Sequence, residues 1–249
     1  MNDKIRIFSE ENGIALLEMN DRKGKNIFSD DFIAQFQAGI DELENKIKPK
    51  VLILKGLEDV FCGGAEKQTL LDICDGEILV KDILISERLV STPFPVIAAM
   101  EGHAVGGGLV MALCCDIVVA ALESRYGVVF MSMGFTPGMG CTKLLEGLVG
   151  PFIAAEMMYT GKRFKGRELA AKSTNVNYIL PKNQVLQKAR DIALQMCEKN
   201  VKSLYLLKYA LSAQKKKLLV DARVQEDFMH RISFSFPETK DTINKLYIE

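Results

Sequence analysis

Two glycine-rich turns carry most of the chemistry this sequence offers. Gly106-Gly107-Gly108 lies between two apolar segments. A strand-to-helix turn of that composition presents backbone N–H groups at a helix N-terminus, where an anion or a developing oxyanion can sit. The run is not G-x-G-x-x-G, and no G-x-x-x-x-G-K-S/T occurs in the chain, which disfavours a nucleotide phosphate cradle. Close packing of a helix on a strand accounts for the same glycines without any ligand. Gly63-Gly64-Ala65 is a second turn of small residues after an apolar segment. Two such turns would make a two-pronged oxyanion hole if the fold brought them together, which spacing alone does not decide.

Acid–base candidates are few. The chain has only two histidines, His103 and His230. His103 sits beside the glycine run and reads as structural. His230 lies in a late helical segment with Glu226 four residues before it, where a surface or subunit-contact histidine is the plain interpretation. Lys81 follows Glu77 by four residues, and an exposed i,i+4 ion pair explains it simply. The stretch Tyr126 to Met131 contains no group that ionises near neutral pH. None of the six cysteines forms a CxxC pair, so with two histidines a zinc site is unsupported and reduced thiols are expected.

The elements that must position these residues follow from periodicity. Ile5–Phe8 and Ile14–Met19 are short apolar strands joined at Asn12-Gly13, a hairpin signal. Asn20 to Asn26 is a polar, basic loop. Ser29 is a helix N-cap before Phe32, Phe36, Ile40 and Leu43 at helical spacing. Val51–Lys55, Val96–Met100 and Asp116–Ala121 are buried strands. Leu57–Lys67 reads as loop, Glu77–Val90 as a helix ended by Pro93 and Pro95, and Gly102–Gly108 as a turn opening a helix that runs to Cys114. Past Gly150, helices dominate: Phe152–Tyr159, Gly166–Ala171, Gln184–Glu198, Ser203–Ala213 and Val220–Phe236, the last with Val224, Phe228 and Ile232 at helical spacing. The expectation is an α/β core over residues 1–195 and a helical region over 196–249 packed on it.

Composition sets the outer bounds. Lys plus Arg and Asp plus Glu are both 32 in 249 residues, so there is no global basic footprint for nucleic acid. No apolar run reaches the ~18 residues of a membrane span, and the first residues show no secretory h-region. A soluble cytoplasmic protein is expected.

Five motifs in order resemble those of the crotonase (enoyl-CoA hydratase/isomerase) superfamily over almost the whole chain. Asn20 to Asn26 resembles N-R-P-x-x-x-N, and Phe61-Cys62-Gly63-Gly64-Ala65-Glu66 resembles F-x-A-G-A-D. Ala99 to Gly108 resembles A-x-x-G-x-A-x-G-G-G. Cys115-Asp116-Ile117 and Gly134 to Gly140 resemble the C-D-I and G-x-x-P-G-x-G segments that follow. The resemblance implies an α/β fold, a spiral of ββα units with a C-terminal helical trimerisation region that packs on the core and on neighbouring subunits. It also implies that the N–H groups of Ala65 and Gly107 polarise a thioester carbonyl.

The departures from the family pattern direct the functional expectation. Where hydratases of the family carry two glutamates that activate and deliver water, this chain has Val110 and Phe130. An oxyanion hole without those acids suits enolate formation by loss of CO2, since the departing carboxylate removes the need for a strong base. Within the superfamily, the chain is most similar to the decarboxylases of bacterial polyketide β-branching cassettes, which lack both glutamates and use a lysine and a C-terminal histidine. Lys81 and His230 match that pattern in order and approximate position. The resemblance thus implies decarboxylation of a 3-methylglutaconyl-type acyl-carrier-protein thioester to a 3-methylcrotonyl-type product, by a homotrimer or dimer of trimers. No metal or redox cofactor, nucleic acid or membrane is implied. Two alternatives stay open: an enoyl-CoA isomerase or hydratase with relocated acid–base groups, and a non-catalytic acyl-thioester-binding protein.

Overall fold

The computed structural model describes residues 3–80 and 83–247. The chain opens with the expected hairpin. β1 (Ile5–Ser9) and β2 (Ile14–Met19) pair antiparallel, and Gly13 turns between them at φ +93°. After β3 (Ile27–Phe28), the Ser29 hydroxyl accepts from the Phe32 N–H and opens α1 (Asp30–Glu42), with Asp30 and Asp31 in its positively polarised first turn.

From there the chain repeats one pattern. A long strand is followed by a short one and then a helix: β4 (Val51–Lys55), β5 (Val60–Cys62) with β6 (Gly64–Ala65), and α2 (Lys67–Cys74). The second turn, after α3 (Ile85–Ser91), is β7 (Val96–Met100), β8 (His103–Val105) and α4 (Gly107–Leu113). The third is β9 (Ile117–Ala121), β10 (Arg125–Gly127) and, past a 3₁₀ turn at Met131–Met133, α5 (Cys141–Val149). Long strands collect in one sheet, ordered β1-β2-β4-β7-β9-β12, where β12 is Tyr178–Leu180. Short strands collect in another, β11-β10-β8-β5, where β11 is Phe164–Lys165. This is the spiral of ββα units expected from the resemblance. Every pairing among β2, β4, β7, β9 and β12 is parallel.

Period-two alternation splits the core. One set of side chains, including Val51, Ile53, Ile97, Ala99 and Val119, packs under Val185, Ala189 and Ala193 of α8 (Lys182–Cys197). The alternate set, including Leu52, Leu54, Ala98 and Val118, faces the main core with Phe32 and Phe36. Burial on both faces explains why these parallel strands read as continuous apolar runs.

Several sequence expectations are corrected. Leu57–Lys67 is not loop but holds β5 and β6. The two are too short to show a period, and their place is fixed by tertiary packing: a Cβ on Gly108 would lie 2.2 Å from the Cys62 carbonyl oxygen. The Gly102–Gly108 turn likewise contains β8. Glu77–Val90 is not one helix, because α-helix begins only at Ile85. The carbonyls of Val80 and Ile83 accept from the Arg223 guanidinium at 3.3 and 2.8 Å, which holds the backbone there to a tertiary partner. After α6 (Pro151–Thr160) and α7 (Gly166–Ala171), the two helices expected from Ser203 to Phe236 are a single one, α9 (Val201–Ser233). It runs through its lysine stretch because Lys215 Nζ donates to the Leu113 and Cys115 carbonyls and Leu219 is buried. α9 packs on α3 and α5, and α10 (Pro237–Leu246) on α2. Val224, Phe228 and Ile232 do share a face of α9, but that face is exposed.

Candidate active site

The two glycine turns meet. A Cβ built on Gly64 would lie 2.7 Å from the Val105 carbonyl oxygen and 3.3 Å from the Gly107 nitrogen. β6, paired in parallel with β3 through Phe28 and Ala65, therefore lies against the N-terminus of α4. The Gly107 N–H is the first of that helix and has no acceptor one turn back within it. Ala65 and Gly107 both line a cavity of about 1010 Å³, a size that suits an extended acyl-thioester ligand.

The glycines of this region are small for different reasons. Gly64 at φ +88° and Gly106 at φ +56° adopt backbone that favours glycine. Gly107 does not, but a Cβ there would meet the Phe28 ring at 2.7 Å and Met139 Sδ at 2.9 Å. Close packing thus demands a small residue at Gly107, as the packing alternative raised by the sequence has it.

The polar loop before β3 is built around Asn26, which is fully buried at φ +54°. Its amide donates to the Met19 and Phe61 carbonyls at 3.1 and 3.0 Å, and its Oδ1 accepts from the Asp21 N–H at 2.8 Å. The Gly63 N–H donates to the Lys25 carbonyl at 3.1 Å. The loop thereby clamps the start of the first donor turn and places Lys23 and Lys25 on the cavity, where Lys67 and Arg163 also lie. Asp116 is structural: its carboxylate accepts from the Val96 N–H at 2.7 Å and from buried Lys208 at 2.8 and 3.0 Å.

The apolar part of the cavity lining includes Ile27, Leu70, Val129, Phe130, Met133 and Phe135. Val110 is fully buried in the main core, and Phe130 is cavity wall. Cys62 and Cys114 are buried thiols pushed up to about 12 and about 11, chiefly by desolvation, which leaves them unionised and unreactive.

His230 is not on the cavity wall. It is buried behind Thr136-Pro137-Gly138, and its Nε2 lies 3.0 Å from the Thr136 carbonyl oxygen. A carbonyl only accepts, so Nε2 carries the proton. Burial chiefly pushes its pKa down, against the raising effects of that bond and of Glu226. Two ring contacts connect it to the cavity: His230 edge-on to Phe234, and Phe234 stacked on Phe135. Lys81 lies outside the described residues. The residue before it, Val80, packs on Gly138 opposite His230: a Cβ on Gly138 would come 2.5 Å from His230 Cε1 and 3.2 Å from Val80 Cγ1. Residues 77–80 are not α-helical.

Sequence reasoning missed several cavity residues, Glu66, Tyr247 and His103 among them. Glu66 follows the first donor turn, and Tyr247 reaches the cavity from the far end of the chain. His103, read as structural, does accept from the Arg125 N–H through Nδ1 at 3.0 Å, but it also lines the cavity. Burial first, then Lys182, Arg125 and Arg163, push its pKa down.

Comparison with known proteins agrees with this geometry. Residues 9–249 match the family model described as enoyl-CoA hydratase/isomerase. The chain is 33% identical over 98% of its length to bacillaene synthase decarboxylase PksI of Bacillus subtilis (strain 168), covering 97% of that protein. It is 29% identical over 84% of its length to human mitochondrial methylglutaconyl-CoA hydratase, covering 64% of that protein. Among solved structures, one from a dehydratase/decarboxylase enzyme couple involved in polyketide β-branching superimposes with TM-score 0.95 at 33% identity, over 99% of this chain and all of the other. The ECH2 decarboxylase domain of CurF from Lyngbya majuscula gives 0.93 at 31%, with the same coverage.

Proposed function

Because the chain belongs to the enoyl-CoA hydratase/isomerase family, we propose that it is the member that removes CO2 from a 3-methylglutaconyl-type thioester in polyketide β-branching, leaving the 3-methylcrotonyl-type product. One observation carries this reading. Both glycine turns line the cavity, and at the two positions where the resemblance places the hydratases' glutamates this chain has Val110, buried in the core, and Phe130, on the cavity wall. Such a site can stabilise an enolate but lacks the usual means of activating water.

In the proposed reaction the thioester oxygen accepts from the Ala65 and Gly107 N–H groups. The bond between the substrate's terminal carboxylate carbon and its neighbour breaks. Its electron pair enters the conjugated system as a dienolate while CO2 leaves, and one proton returns to carbon. The apolar wall around Phe130 and Phe135 raises the cost of holding a carboxylate and so favours its loss. Lys81 pairs with that carboxylate or guides protonation, and His230, bonded to the Thr136 carbonyl behind the cavity wall, orients the adjoining loop. The cations Lys23, Lys25, Lys67 and Arg163 suit the phosphate of a phosphopantetheine arm, and the thioester is carried by an acyl-carrier protein in the cytoplasm. The exposed apolar residues of α9, among them Leu206, Leu211, Val224 and Phe228, suit contact between copies in a homotrimer or dimer of trimers. Among the described residues no helix is long and apolar enough to cross a membrane.

A second reading has one observation in its favour: Glu66 and His103 both line the cavity and can exchange protons. They are the groups a hydratase or isomerase with relocated acid–base residues would use. Incubation with crotonyl-CoA separates the two readings. Decarboxylation chemistry predicts no 3-hydroxyacyl product at a hydratase-like rate, and robust hydration refutes the assignment.

A further inference from the structure

The first donor turn is supple by composition. Gly63 and Gly64 precede Ala65, and β6 is a two-residue strand supported on one edge by β3. Something must hold Ala65 from the other side if its N–H is to stay aimed at a thioester oxygen. The contact comes from the end of the chain: the Tyr247 hydroxyl donates to the Ala65 carbonyl at 2.8 Å. In an extended residue the N–H and C=O lie on the same edge. The phenol therefore approaches Ala65 on the edge that carries the donor N–H, and both residues line the cavity.

Tyr247 is itself anchored. Its N–H donates to the Ile243 carbonyl at 3.1 Å, closing α10. Ile243 is fully buried, and Thr239 Oγ1 lies 2.8 and 2.7 Å from the Gly134 and Ser233 carbonyl oxygens, which share its one proton. Lys240 pairs with Asp75 at 2.5 and 2.8 Å, beyond the end of α2. α10 thus fixes the phenol with respect to both the Gly134 loop and the helix that follows Ala65.

We propose that Tyr247 is a positioning residue for the oxyanion hole: its hydroxyl fixes the Ala65 peptide so that the Ala65 N–H meets the thioester oxygen. The inference rests on the reading of Ala65 as an oxyanion donor and adds a residue from the C-terminus to that machinery. Misaiming a donor weakens it most where charge is greatest, in the dienolate, so the effect falls on kcat rather than on KM.

The test is Tyr247→Phe, which removes only the hydroxyl. Infrared difference spectra of bound, carbonyl-labelled 3-methylbutanoyl-pantetheine, which cannot lose CO2, read the polarisation directly. In the unaltered protein the carbonyl band moves to lower frequency on binding. In Tyr247→Phe it returns toward the free position, kcat for CO2 loss falls about tenfold with KM little changed, and the melting temperature stays close to that of the parent. A Tyr247→Phe protein with the parent's band position and kcat overturns the proposal. So does one whose kcat falls only in step with its melting temperature while the band stays shifted. If the unaltered protein polarises the carbonyl but releases no CO2, the proposed reaction fails while Tyr247 is still judged by its band. If it does not polarise the carbonyl at all, the oxyanion hole fails, and this inference with it.

Discussion

Replacing Glu226 by glutamine should loosen the loop that separates His230 from the cavity. Glu226 is 1% exposed, and its carboxylate accepts three bonds: the Gly140 N–H at 2.7 Å, the Thr142 N–H at 3.0 Å and the Thr142 hydroxyl at 2.8 Å. It caps the N-terminus of α5, where a negative charge is favoured. Glutamine has the same shape but presents an NH2 group in place of one oxygen. Whichever way the amide turns, one backbone N–H faces another donor. A buried N–H left without an acceptor costs about 1–3 kcal/mol, and the bonds that remain lose charge assistance worth about 1 kcal/mol more. The sum is about 3 kcal/mol. At about 3 °C per kcal/mol for a chain of this length, the melting temperature should fall by about 9 °C. Thermal melts measure this, and hydrogen exchange at Gly140 and Thr142 should accelerate in the same variant. Glu226 also raises the His230 pKa, so the variant should push that value further down. A shift below about 2 °C would refute the claim that this carboxylate holds the loop.

Other outcomes follow from the same geometry. Ala65→Pro removes the proposed oxyanion donor and should lower kcat by about 10²-fold or more in a protein that still folds; circular dichroism and steady-state rates on one preparation check both halves. The folded-state pKa of His230 is depressed, so its contribution to stability is complete above the unfolded value of about 6.5 and is lost as pH falls from there through the folded value. Melting temperature against pH should drop in that window, and His230→Asn should flatten the part of the drop that His103 does not supply. Lys81→Ala and His230→Ala should each depress CO2 loss far more than thermal stability; full turnover in both would remove the two residues from the mechanism.

The sequence carried the long strands and most helices, because burial on both faces or on one stripe leaves a periodic mark. It did not carry β5, β6 and β8, whose two or three residues have no period and whose positions are set by glycine-to-carbonyl contacts such as Gly108 on Cys62. Nor could periodicity tell that Val224 and Phe228 face outward, since an apolar stripe looks the same against a core or a neighbouring molecule. In the site, the donor turns were legible as glycine runs, but their meeting was not, because it depends on β6 lying against α4. Tyr247 gave no signal: a tyrosine near a chain end becomes part of a cavity only once α10 is anchored on Thr239 and Ile243. His230 was legible as a lone histidine on a helix, while its bond to the Thr136 carbonyl was not.

A two-donor hole without the hydratase glutamates is expected to perform decarboxylation. The direct measurement is intact-protein mass spectrometry of a 3-methylglutaconyl-loaded acyl-carrier protein after incubation with the enzyme. The carrier should have lost one CO2 and retained its thioester, with the change slowed about 10²-fold or more in Ala65→Pro. An acyl chain that stays unchanged, or one that gains the mass of water, would contradict this expectation.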